Sequence, residues 1–411
     1  MTIVKRTAAL LALVALWAAL CGYLALEGFW LKPVATVGDH ADFARWASAK
    51  LQAENAGSSA LVLLEDGVVA AQDFSAGINR ETLFPTASAS KFIAALTALR
   101  LAEQQRLDLD RPISDYLTRW QLPPSAHDLG GVTVRRLLSH TAGLTDGLGF
   151  GDYEPDEQIP SLEESLQAPR ASSGEPAKIA VEEEPGRGFR YSGGGYLLLE
   201  LILEERCGMR FAQCAREQLL APLAMQRSTH DLLAVADNVS LSYRRDGTPA
   251  PSFRYASAAA TGFASTAADL TRLAHALLGA ADSPLQTQTL AAMREPQAFV
   301  MGASIWGTGT MLYAPAGNDD YVFGHDGAND PALNAALRLN PVSGDGFILL
   351  VSGHPSLASD IGAQWVLWQT GKPDFLSTEQ ALASAVKPLL LGSVLLSLLL
   401  IGWWWRQRRR A

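Results

Sequence analysis

Residues 88–105 have the sequence SASKFIAALTALRLAEQQ, a long segment rich in apolar side chains. Phe92, Leu96 and Leu99 recur at the spacing of one helix face. The segment therefore predicts a buried helix whose N-terminus lies at or near Ser88. Because the first turn of a helix offers free backbone N–H groups and the positive end of the helix dipole, it favours developing negative charge.

This first turn contains a Ser-x-x-Lys motif, in which Ser88 and Lys91 place a hydroxyl and an amine on one helix face. A second copy, from Ser384 to Lys387, abuts Pro388 and has no pocket-forming sequence around it. We interpret the second copy as a coincidence, with Lys387 as an anchor at a membrane interface. Ser88 and Lys91 are the candidate reactive pair.

The segments on both sides of this helix predict strands. Upstream, two apolar runs flank Glu65-Asp66-Gly67, and Asp-Gly between apolar runs is typical of a tight hairpin. Downstream, four apolar segments alternate with turns and predict a meander, followed by a final helix at about Ser359–Thr370. The predicted strands of the meander are Ser304–Tyr313, Tyr321–His325, Ala332–Asn340 and Phe347–Gly353.

The middle of the chain, about residues 107–290, shows mostly helical patterning broken by polar loops. It includes an acidic stretch from Glu154 to Glu184, which we interpret as a solvated flap. Strands at both ends and helices between them predict an α+β fold. One antiparallel sheet is built from both chain ends and flanked by helices, and an all-helical subdomain at about 107–290 is inserted into it.

The charge of the chain excludes one broad class of protein. The 411 residues are 48% hydrophobic and 18% charged, as in a folded protein. Residues 32–386 carry 26 of the 33 Lys and Arg but 41 of the 42 Asp and Glu, a net charge of −15. Because phosphate contacts are made mainly by cationic side chains, no nucleic-acid partner is expected.

The N-terminal segment has the length of a membrane-spanning helix. Thr7 to Leu26 contains no charge and follows Lys5 and Arg6. The alternative is a signal peptide, but the apolar run passes through the one acceptable cleavage site, at Ala19-Leu20-Cys21. We therefore favour an uncleaved anchor in residues 1–31, and the signal peptide stays open as an alternative.

The C-terminal segment predicts a second membrane helix. Pro388 to Trp405 contains no ionisable group and ends in three tryptophans, after which come four arginines. Aromatic residues at the interface followed by cations are typical of a helix that ends in the cytoplasm. The predicted organisation is thus a folded domain at 32–371, a linker at 372–386 and a membrane helix with a basic tail at 387–411. Both termini should be cytoplasmic. The arginines are Arg406, Arg408, Arg409 and Arg410.

The spacing of the cysteines and histidines adds little to the prediction of function. On one straight helix, Cys207 and Cys214 would lie roughly 10 Å apart, too far for a disulfide. Gly208 could end the helix between them, so the disulfide stays open. The seven histidines show no metal-ligand spacing, and we assign no metal.

Four further motifs follow Ser88 in the chain, and they are Leu137–Leu144 around His140, Pro185–Tyr196, Gly262–Leu270 and Gly324–Asn329. With these four ordered motifs, the sequence resembles the serine β-lactamase and penicillin-binding-protein superfamily, in particular its class C β-lactamase-like and esterase-like branch. The resemblance covers roughly Ala60 to Thr370. The absence of a G-x-S-x-G sequence argues against an α/β-hydrolase.

The resemblance implies a role for each matching residue. Ser88 would be the acylated nucleophile, with Lys91 and Tyr191 as partners that handle its proton. An adjacent base is what a serine hydroxyl needs to become a nucleophile, and the sequence leaves open which of the two serves. No cofactor is implied. The oxyanion hole would use the backbone N–H groups of Ser88 and Ala328, and the substrate would be bound at His325, Asp326, Gly327 and Gly193.

Two departures from the family pattern concern the substrate. Gly193 stands where the family has an Asn that contacts the substrate's amide. His325 stands where the family has a Lys, and a histidine carries a full charge only at lower pH. Both departures weaken the β-lactamase and D-peptidase hypotheses. We interpret His140 as structural, and Tyr196 and Trp306 as core residues rather than pocket residues.

Together these observations predict a membrane-anchored serine hydrolase that acts on an ester or a small amide. It would lie in a bacterial cytoplasmic membrane, with the catalytic domain on the periplasmic or extracellular side. The alternatives are a D,D-carboxypeptidase or β-lactamase acting at the cell wall, and an acylated ligand sensor or non-catalytic binding protein. The expected partners are a small-molecule or peptide substrate and the membrane, and the sequence leaves protein partners open.

Overall fold

A computed structural model describes residues 3–144, 146, 152–171, 177–235, 237–329 and 332–410. The chain forms two compact units, residues 39–362 and the two terminal segments 1–38 and 363–411. The first unit corresponds to most of the domain predicted at 32–371. Part of the predicted acidic flap, residues 172–176, lies outside the described residues, as do the side chains of Arg408 and Arg410 in the predicted basic tail.

In the described part of the chain, ten strands of three or more residues and four strands of two residues make up the β-structure of the larger unit. The sheet is built from both ends of the domain, as predicted, because residues 59–64 pair with residues 346–351. The strands are β1 Ser59–Glu65, β2 Val68–Phe74, β3 Leu83–Pro85, β4 Asp152–Tyr153, β5 Ser242–Tyr243, β6 Pro249–Ala250, β7 Arg254–Tyr255, β8 Ala264–Thr266, β9 Ala298–Val300, β10 Ala303–Trp306, β11 Met311–Gly317, β12 Asp320–Asn329, β13 Leu333–Asn340 and β14 Asp345–Ser352.

Most of the remaining regular structure is α-helical. The α-helices are α1 Ile3–Leu26, α2 His40–Glu54, α3 Ser90–Glu103, α4 Val134–Leu138, α5 Leu162–Gln167, α6 Gly193–Cys207, α7 Phe211–Ala215, α8 Ala267–Leu278, α9 Thr287–Met293, α10 Leu357–Thr370, α11 Thr378–Ser384 and α12 Val386–Arg410.

Eight strands form one antiparallel sheet in the order β2-β1-β14-β13-β12-β11-β10-β9. The predicted hairpin joins β1 to β2, and Asp66 (φ +46°) and Gly67 (φ +70°) both have the positive φ that tight hairpin turns require. Helices α3 and α8 pack against the sheet, and α3 is buried along almost its whole length. The α+β prediction is confirmed, with a large antiparallel sheet flanked by helices.

The inserted subdomain is not all-helical, so this prediction is wrong. Residues 107–290 contain the short strands β4 to β8, and β8 pairs with β3, with Leu83 opposite Thr266. Strands of two or three residues are too short to show an alternating pattern, which is why the sequence concealed them. The predicted strand Ser304–Tyr313 is also two strands, β10 and β11, separated by a turn in which Gly309 has φ +78°.

Gly208 allows Cys207 and Cys214 to form the disulfide that the sequence left open. Gly208 ends α6 in the left-handed conformation, with φ +71°. The chain then turns into α7, and Cys207 and Cys214 lie 6.1 Å apart between their Cα atoms and form a disulfide. This distance is within the range that a disulfide spans.

The smaller unit contains the two terminal helices. Thr7–Leu26 and Phe375–Arg406 are long and apolar enough to cross a membrane by length and composition. The segment predicted as a linker, 372–386, includes the helix α11. Trp17 of α1 packs on Gly392 of α12, and its Nε1 donates to the carbonyl oxygen of Leu389 at 3.3 Å. The two terminal helices therefore contact each other directly.

Candidate active site

Ser88 lies in a tight turn that leads into α3. The turn spans Ala87–Ala89, and Ala87 has φ +46°, a conformation that is uncommon for a residue with a side chain. Ser90 holds the turn in place, because its Oγ donates to the carbonyl oxygen of Ala87 and accepts the N–H of Phe263 at 2.9 Å. Ser88 itself is half-buried. The prediction that a helix begins at or near Ser88 is confirmed.

Lys91 is fully buried one helical turn from Ser88. Its Nζ donates to the carbonyl oxygen of Ala260 at 2.9 Å and lies 3.3 Å from the Oγ of Ser88. A buried amine needs such acceptors, because leaving water without them is costly. The carbonyl of Ala260 therefore orients the amine toward the serine hydroxyl.

Tyr191 also lies next to Lys91. Its ring centroid is 5.2 Å from the Nζ of Lys91, within the range of a cation–π contact. The tyrosine ring also stacks on the ring of His140, with 4.3 Å between centroids. The structure thus brings the predicted catalytic residues Ser88, Lys91 and Tyr191 together, although Ser88 and Tyr191 are more than a hundred residues apart in the chain.

Strand β12 passes close to the turn that holds Ser88. A Cβ atom added at Gly327 would lie 2.0 Å from the carbonyl oxygen of Thr86 and 2.9 Å from the backbone nitrogen of Ser88. Only a glycine allows this approach. Ala328, the next residue, is exposed. The arrangement brings the strand that holds both Gly327 and Ala328 beside the N–H of Ser88, as the oxyanion-hole prediction requires.

His325 is buried in the same strand and faces the aromatic residues of the site. Its Nδ1 lies 2.6 Å from the carbonyl oxygen of Asp326, so Nδ1 carries the proton and Nε2 does not. Burial and, to a smaller extent, the nearby Lys91 lower the pKa of His325 to about 4. At neutral pH this side chain is therefore uncharged, and it supplies no cationic clamp for a substrate carboxylate.

This geometry agrees with three comparisons to known proteins. The Beta-lactamase family model matches residues 43–372, most of the chain. The chain belongs to the Beta-lactamase family. Penicillin-binding protein 4 of Amycolatopsis lactamdurans is 26% identical over 296 residues, which cover 67% of this chain and 74% of that protein.

Two further relatives extend the comparison. Esterase EstB of Burkholderia gladioli is 28% identical over 196 residues, 42% of this chain and 44% of the esterase. The octameric penicillin-binding protein homologue of Pyrococcus abyssi superposes with a TM-score of 0.66 at 22% identity, covering 82% of this chain and 78% of that chain. This structural likeness concerns the fold. As a member of the Beta-lactamase family, the protein is a serine hydrolase, as the sequence predicted.

One predicted substrate-binding side chain of this Beta-lactamase family member lies away from the site. The carboxylate of Asp326 accepts hydrogen bonds from Arg338 Nη2 at 2.6 Å and from the hydroxyl of Tyr313 at 2.7 Å. Arg338 is fully buried. Because neighbouring side chains of a strand alternate between its faces, Asp326 points away from the face that His325 and Gly327 share. The structure therefore does not bring the side chain of Asp326 to Ser88.

Gly193 and His140 take part in positioning Tyr191. Gly193 is buried and begins α6, two residues after Tyr191. The Nδ1 of His140 accepts the N–H of Ser192 at 3.1 Å, and burial followed by the charge of Lys91 holds the pKa of His140 well below its usual value. A neutral imidazole that supports the backbone beside Tyr191 fits the structural interpretation of His140.

Tyr196 and Trp306 form the buried wall behind Lys91. The hydroxyl of Tyr196 and the Nε1 of Trp306 both donate to the carbonyl oxygen of Leu138, at 3.3 and 3.2 Å. Burial raises the pKa of Tyr196 well above its usual value, so its hydroxyl stays protonated. Both side chains are buried, as expected for core residues. Tyr196 nevertheless borders the site, because the Nζ of Lys91 lies 5.5 Å from the centroid of its ring.

Asp146 is a residue of the site that the sequence analysis missed. One carboxylate oxygen accepts the hydroxyl of Ser192 and the other accepts the N–H of Gly194 at 2.8 Å. Burial raises the pKa of Asp146, and these hydrogen bonds oppose the rise. Asp146 therefore anchors the start of α6, directly after Tyr191. No local sequence pattern marks it, because its partners Ser192 and Gly194 lie more than forty residues away in the chain.

The burial of His325 predicts a loss of stability in acid. An unfolded histidine binds a proton below about pH 6.5, whereas the folded protein holds His325 neutral down to about pH 4. Proton binding to the unfolded chain should therefore remove about 2 kcal/mol of unfolding free energy between pH 7 and pH 5. Urea unfolding of wild type and His325→Gln at both pH values measures this. An equal pH dependence in the two proteins would contradict the neutral assignment.

Proposed function

We propose that the protein is a membrane-anchored, extracytoplasmic serine hydrolase that forms an acyl-enzyme on Ser88 and cleaves short-chain esters or small amides. The observation that carries the proposal is the placement of the Nζ of Lys91, 3.3 Å from the Oγ of Ser88 and tied to the carbonyl of Ala260. An activating base next to a serine hydroxyl is the requirement for nucleophilic catalysis.

The proposed reaction has two halves. In the first, Lys91 or Tyr191 takes the proton of Ser88 while Oγ attacks the carbonyl carbon of the substrate. The negative charge that forms on the substrate oxygen is stabilised by the N–H groups of Ser88 and Ala328. The leaving alcohol or amine then receives the proton. In the second half, water gives a proton to the same base and attacks the carbonyl carbon of the acyl-serine, while the same N–H groups stabilise the negative charge on the oxygen. The bond to the Oγ of Ser88 then breaks, Oγ takes the proton back, and the acid is released.

The preference for esters follows from what surrounds these residues. An amide resists acyl transfer more than an ester, and it gains from groups that orient the substrate or protonate the leaving nitrogen. Position 193 has no side chain, and His325 is neutral at pH 7. The nucleophile and the oxyanion donors are sufficient for the better leaving group of an ester.

We therefore expect the detergent-solubilised protein to hydrolyse p-nitrophenyl acetate and butyrate with a higher kcat/KM than a chromogenic cephalosporin or a D-Ala-D-Ala peptide. Gly193→Asn should shift the ratio of ester to cephalosporin turnover toward the cephalosporin. Gly188→Ala is the control, because its Cβ would meet no atom within 4 Å.

A higher kcat/KM for the cephalosporin or the peptide in wild type would instead support the cell-wall alternative. Stable acylation without turnover would support the sensor alternative.

The topology proposal has support from the contact between the two terminal helices. Trp17 meets Leu389 and Gly392, whereas Ala25, later in α1, clusters with Ala385, which directly precedes α12. The helices are therefore antiparallel, and the Lys5 end of α1 lies at the same end of the pair as the arginines that follow Trp405. Cationic flanks remain on the cytoplasmic side, so both termini would be cytoplasmic.

Reporter fusions test this topology. A reporter placed after Lys32 should be active only outside the cytoplasm, and one at the C-terminus only inside. N-terminal sequencing of the mature protein should find α1 intact, because the contact of Trp17 with Gly392 requires a retained anchor. An external C-terminal reporter would contradict the orientation. A mature protein that lacks residues 1–21 would show a cleaved signal peptide instead.

A further inference from the structure

A buried carboxylate without a cationic partner lies in α6. Glu200 is only 6% exposed, and in the part of the chain that the structure describes it forms no ion pair. Glu204, one helical turn later and equally buried, pairs with Arg119 at 2.8 Å. Because a buried charge is costly unless it is paired and hydrogen-bonded, the unpaired Glu200 needs an explanation that Glu204 does not.

The partners of Glu200 belong to the loop between β7 and β8. Its Oε2 accepts the hydroxyl of Ser257 at 2.8 Å and the N–H of Ala259 at 3.0 Å. The oxygen of the same Ser257 hydroxyl accepts the N–H of Ala260 at 3.0 Å. These bonds are all buried, so water does not compete for them. The carboxylate thus fixes Ser257 and Ala259 directly, and it fixes Ala260 through the Ser257 hydroxyl.

The last of these positions is the one that holds Lys91. The carbonyl oxygen of Ala260 accepts the Nζ of Lys91 at 2.9 Å, which is closer than the 3.3 Å to the Oγ of Ser88. A continuous path of hydrogen bonds therefore runs from Glu200 through Ser257 and Ala260 to Lys91. A lysine side chain has several rotatable bonds, and this carbonyl decides where its amine lies.

We propose that Glu200 is a positioning residue, which acts through Ser257 and the carbonyl of Ala260 to hold the amine of Lys91 against Ser88. This inference rests on the proposed function of Ser88 and Lys91. Glu200 touches neither the substrate nor the nucleophile. Its effect should therefore appear in the rate of acylation and in kcat, with KM for an ester unchanged.

The burial of Glu200 is consistent with this role. Burial raises the pKa of its carboxyl to about 7, and the hydrogen bonds from Ala259 and Ser257 oppose the rise. The charge of Glu204, one turn later on the same helix, raises this pKa further. The loop therefore contributes the hydrogen bonds that keep the carboxylate in place, and the carboxylate in turn orders the loop.

Second-order labelling of the full-length protein by a fluorophosphonate measures the reactivity of Ser88 directly. Glu200→Ala should slow labelling by about tenfold to a hundredfold, since a displacement of about 1 Å in a catalytic group has an effect of this size. Glu200→Gln retains an acceptor oxygen and a similar volume, and it should restore labelling to within about threefold of wild type. In ester hydrolysis Glu200→Ala should lower kcat and leave KM unchanged.

Glu204→Ala is the matched control. It removes a carboxylate of the same helix with the same exposure, and it also breaks the ion pair with Arg119, so it should lower the unfolding temperature at least as much as Glu200→Ala. Labelling of Glu204→Ala should nevertheless stay close to wild type. Ser257→Ala should also slow labelling. The double variant Glu200→Ala, Ser257→Ala should be labelled no more slowly than the slower of the two single variants, because both substitutions break the same path to the carbonyl of Ala260.

Equal labelling rates in Glu200→Ala and Glu204→Ala would overturn the inference, and so would additive effects of Glu200→Ala and Ser257→Ala. If Glu200→Ala does not fold, Ser257→Ala with a rate equal to wild type would overturn it. A wild-type protein that the phosphonate does not label would refute the proposed function as well. A labelled wild type with unaffected variants would refute only the role of Glu200.

Discussion

Replacing Ser88 by Ala should abolish hydrolysis of p-nitrophenyl esters, with kcat/KM falling by about 10⁴-fold or more. The hydroxyl is the only group that the proposed mechanism offers for the acyl-enzyme, so no other side chain can replace it. Because Ser88 is half-buried and the substitution removes one oxygen atom, the unfolding temperature should stay close to that of wild type. Steady-state kinetics and thermal unfolding of the same preparation measure both effects.

The second Ser-x-x-Lys copy supplies the control within the same chain. The Oγ of Ser384 donates to the carbonyl oxygen of Ala381, at the end of α11 in the smaller unit. Ser384→Ala should therefore leave ester hydrolysis unchanged. Loss of activity in Ser384→Ala with retention in Ser88→Ala would exchange the roles of the two motifs and contradict the assignment.

Gly327→Ala should be the next most damaging substitution. The added methyl group would lie 2.0 Å from the carbonyl oxygen of Thr86 and 2.9 Å from the backbone nitrogen of Ser88, and neither backbone atom can turn aside. Strand β12 would have to move away from Ser88 and take the N–H of Ala328 with it. Loss of one oxyanion donor lowers kcat by about 10²- to 10³-fold.

The measurement is kcat for an ester together with the unfolding temperature of Gly327→Ala and of the control Gly188→Ala. Gly188 also carries no side chain, but a methyl group there would meet no atom within 4 Å. We expect the control to keep its activity. If Gly327→Ala folds and retains more than about a tenth of the wild-type kcat, β12 does not supply the oxyanion donor.

Local patterns were sufficient for some parts of the fold. Ser88 and Lys91 could be paired from spacing alone, because residues three apart share a helix face. Asp66 and Gly67 predicted a hairpin for a similarly local reason, since a tight turn needs positive φ at these positions. Tyr191 required the resemblance to a family, because only the folded chain brings it to Lys91.

Other parts depend on contacts between distant segments. Asp146 binds Gly194, 48 residues away, and Glu200 binds Ser257, 57 residues away, and neither contact leaves a local pattern. Asp326 was assigned to the substrate because it lies inside a motif. The alternation of side chains along β12 instead directs it to Arg338, a buried partner that the motif does not include. A motif therefore locates a strand, but each residue's face has to be determined from the structure.

The most direct test of the central claim is to identify the residue that carries the acyl group. The full-length protein is treated with a fluorophosphonate, digested with trypsin and analysed by mass spectrometry. We expect one adduct, on the peptide that contains Ser88, and no adduct when Ser88 is replaced by Ala. An adduct on any other residue in wild type, or equal labelling of wild type and Ser88→Ala, would contradict the assignment of Ser88 as the nucleophile.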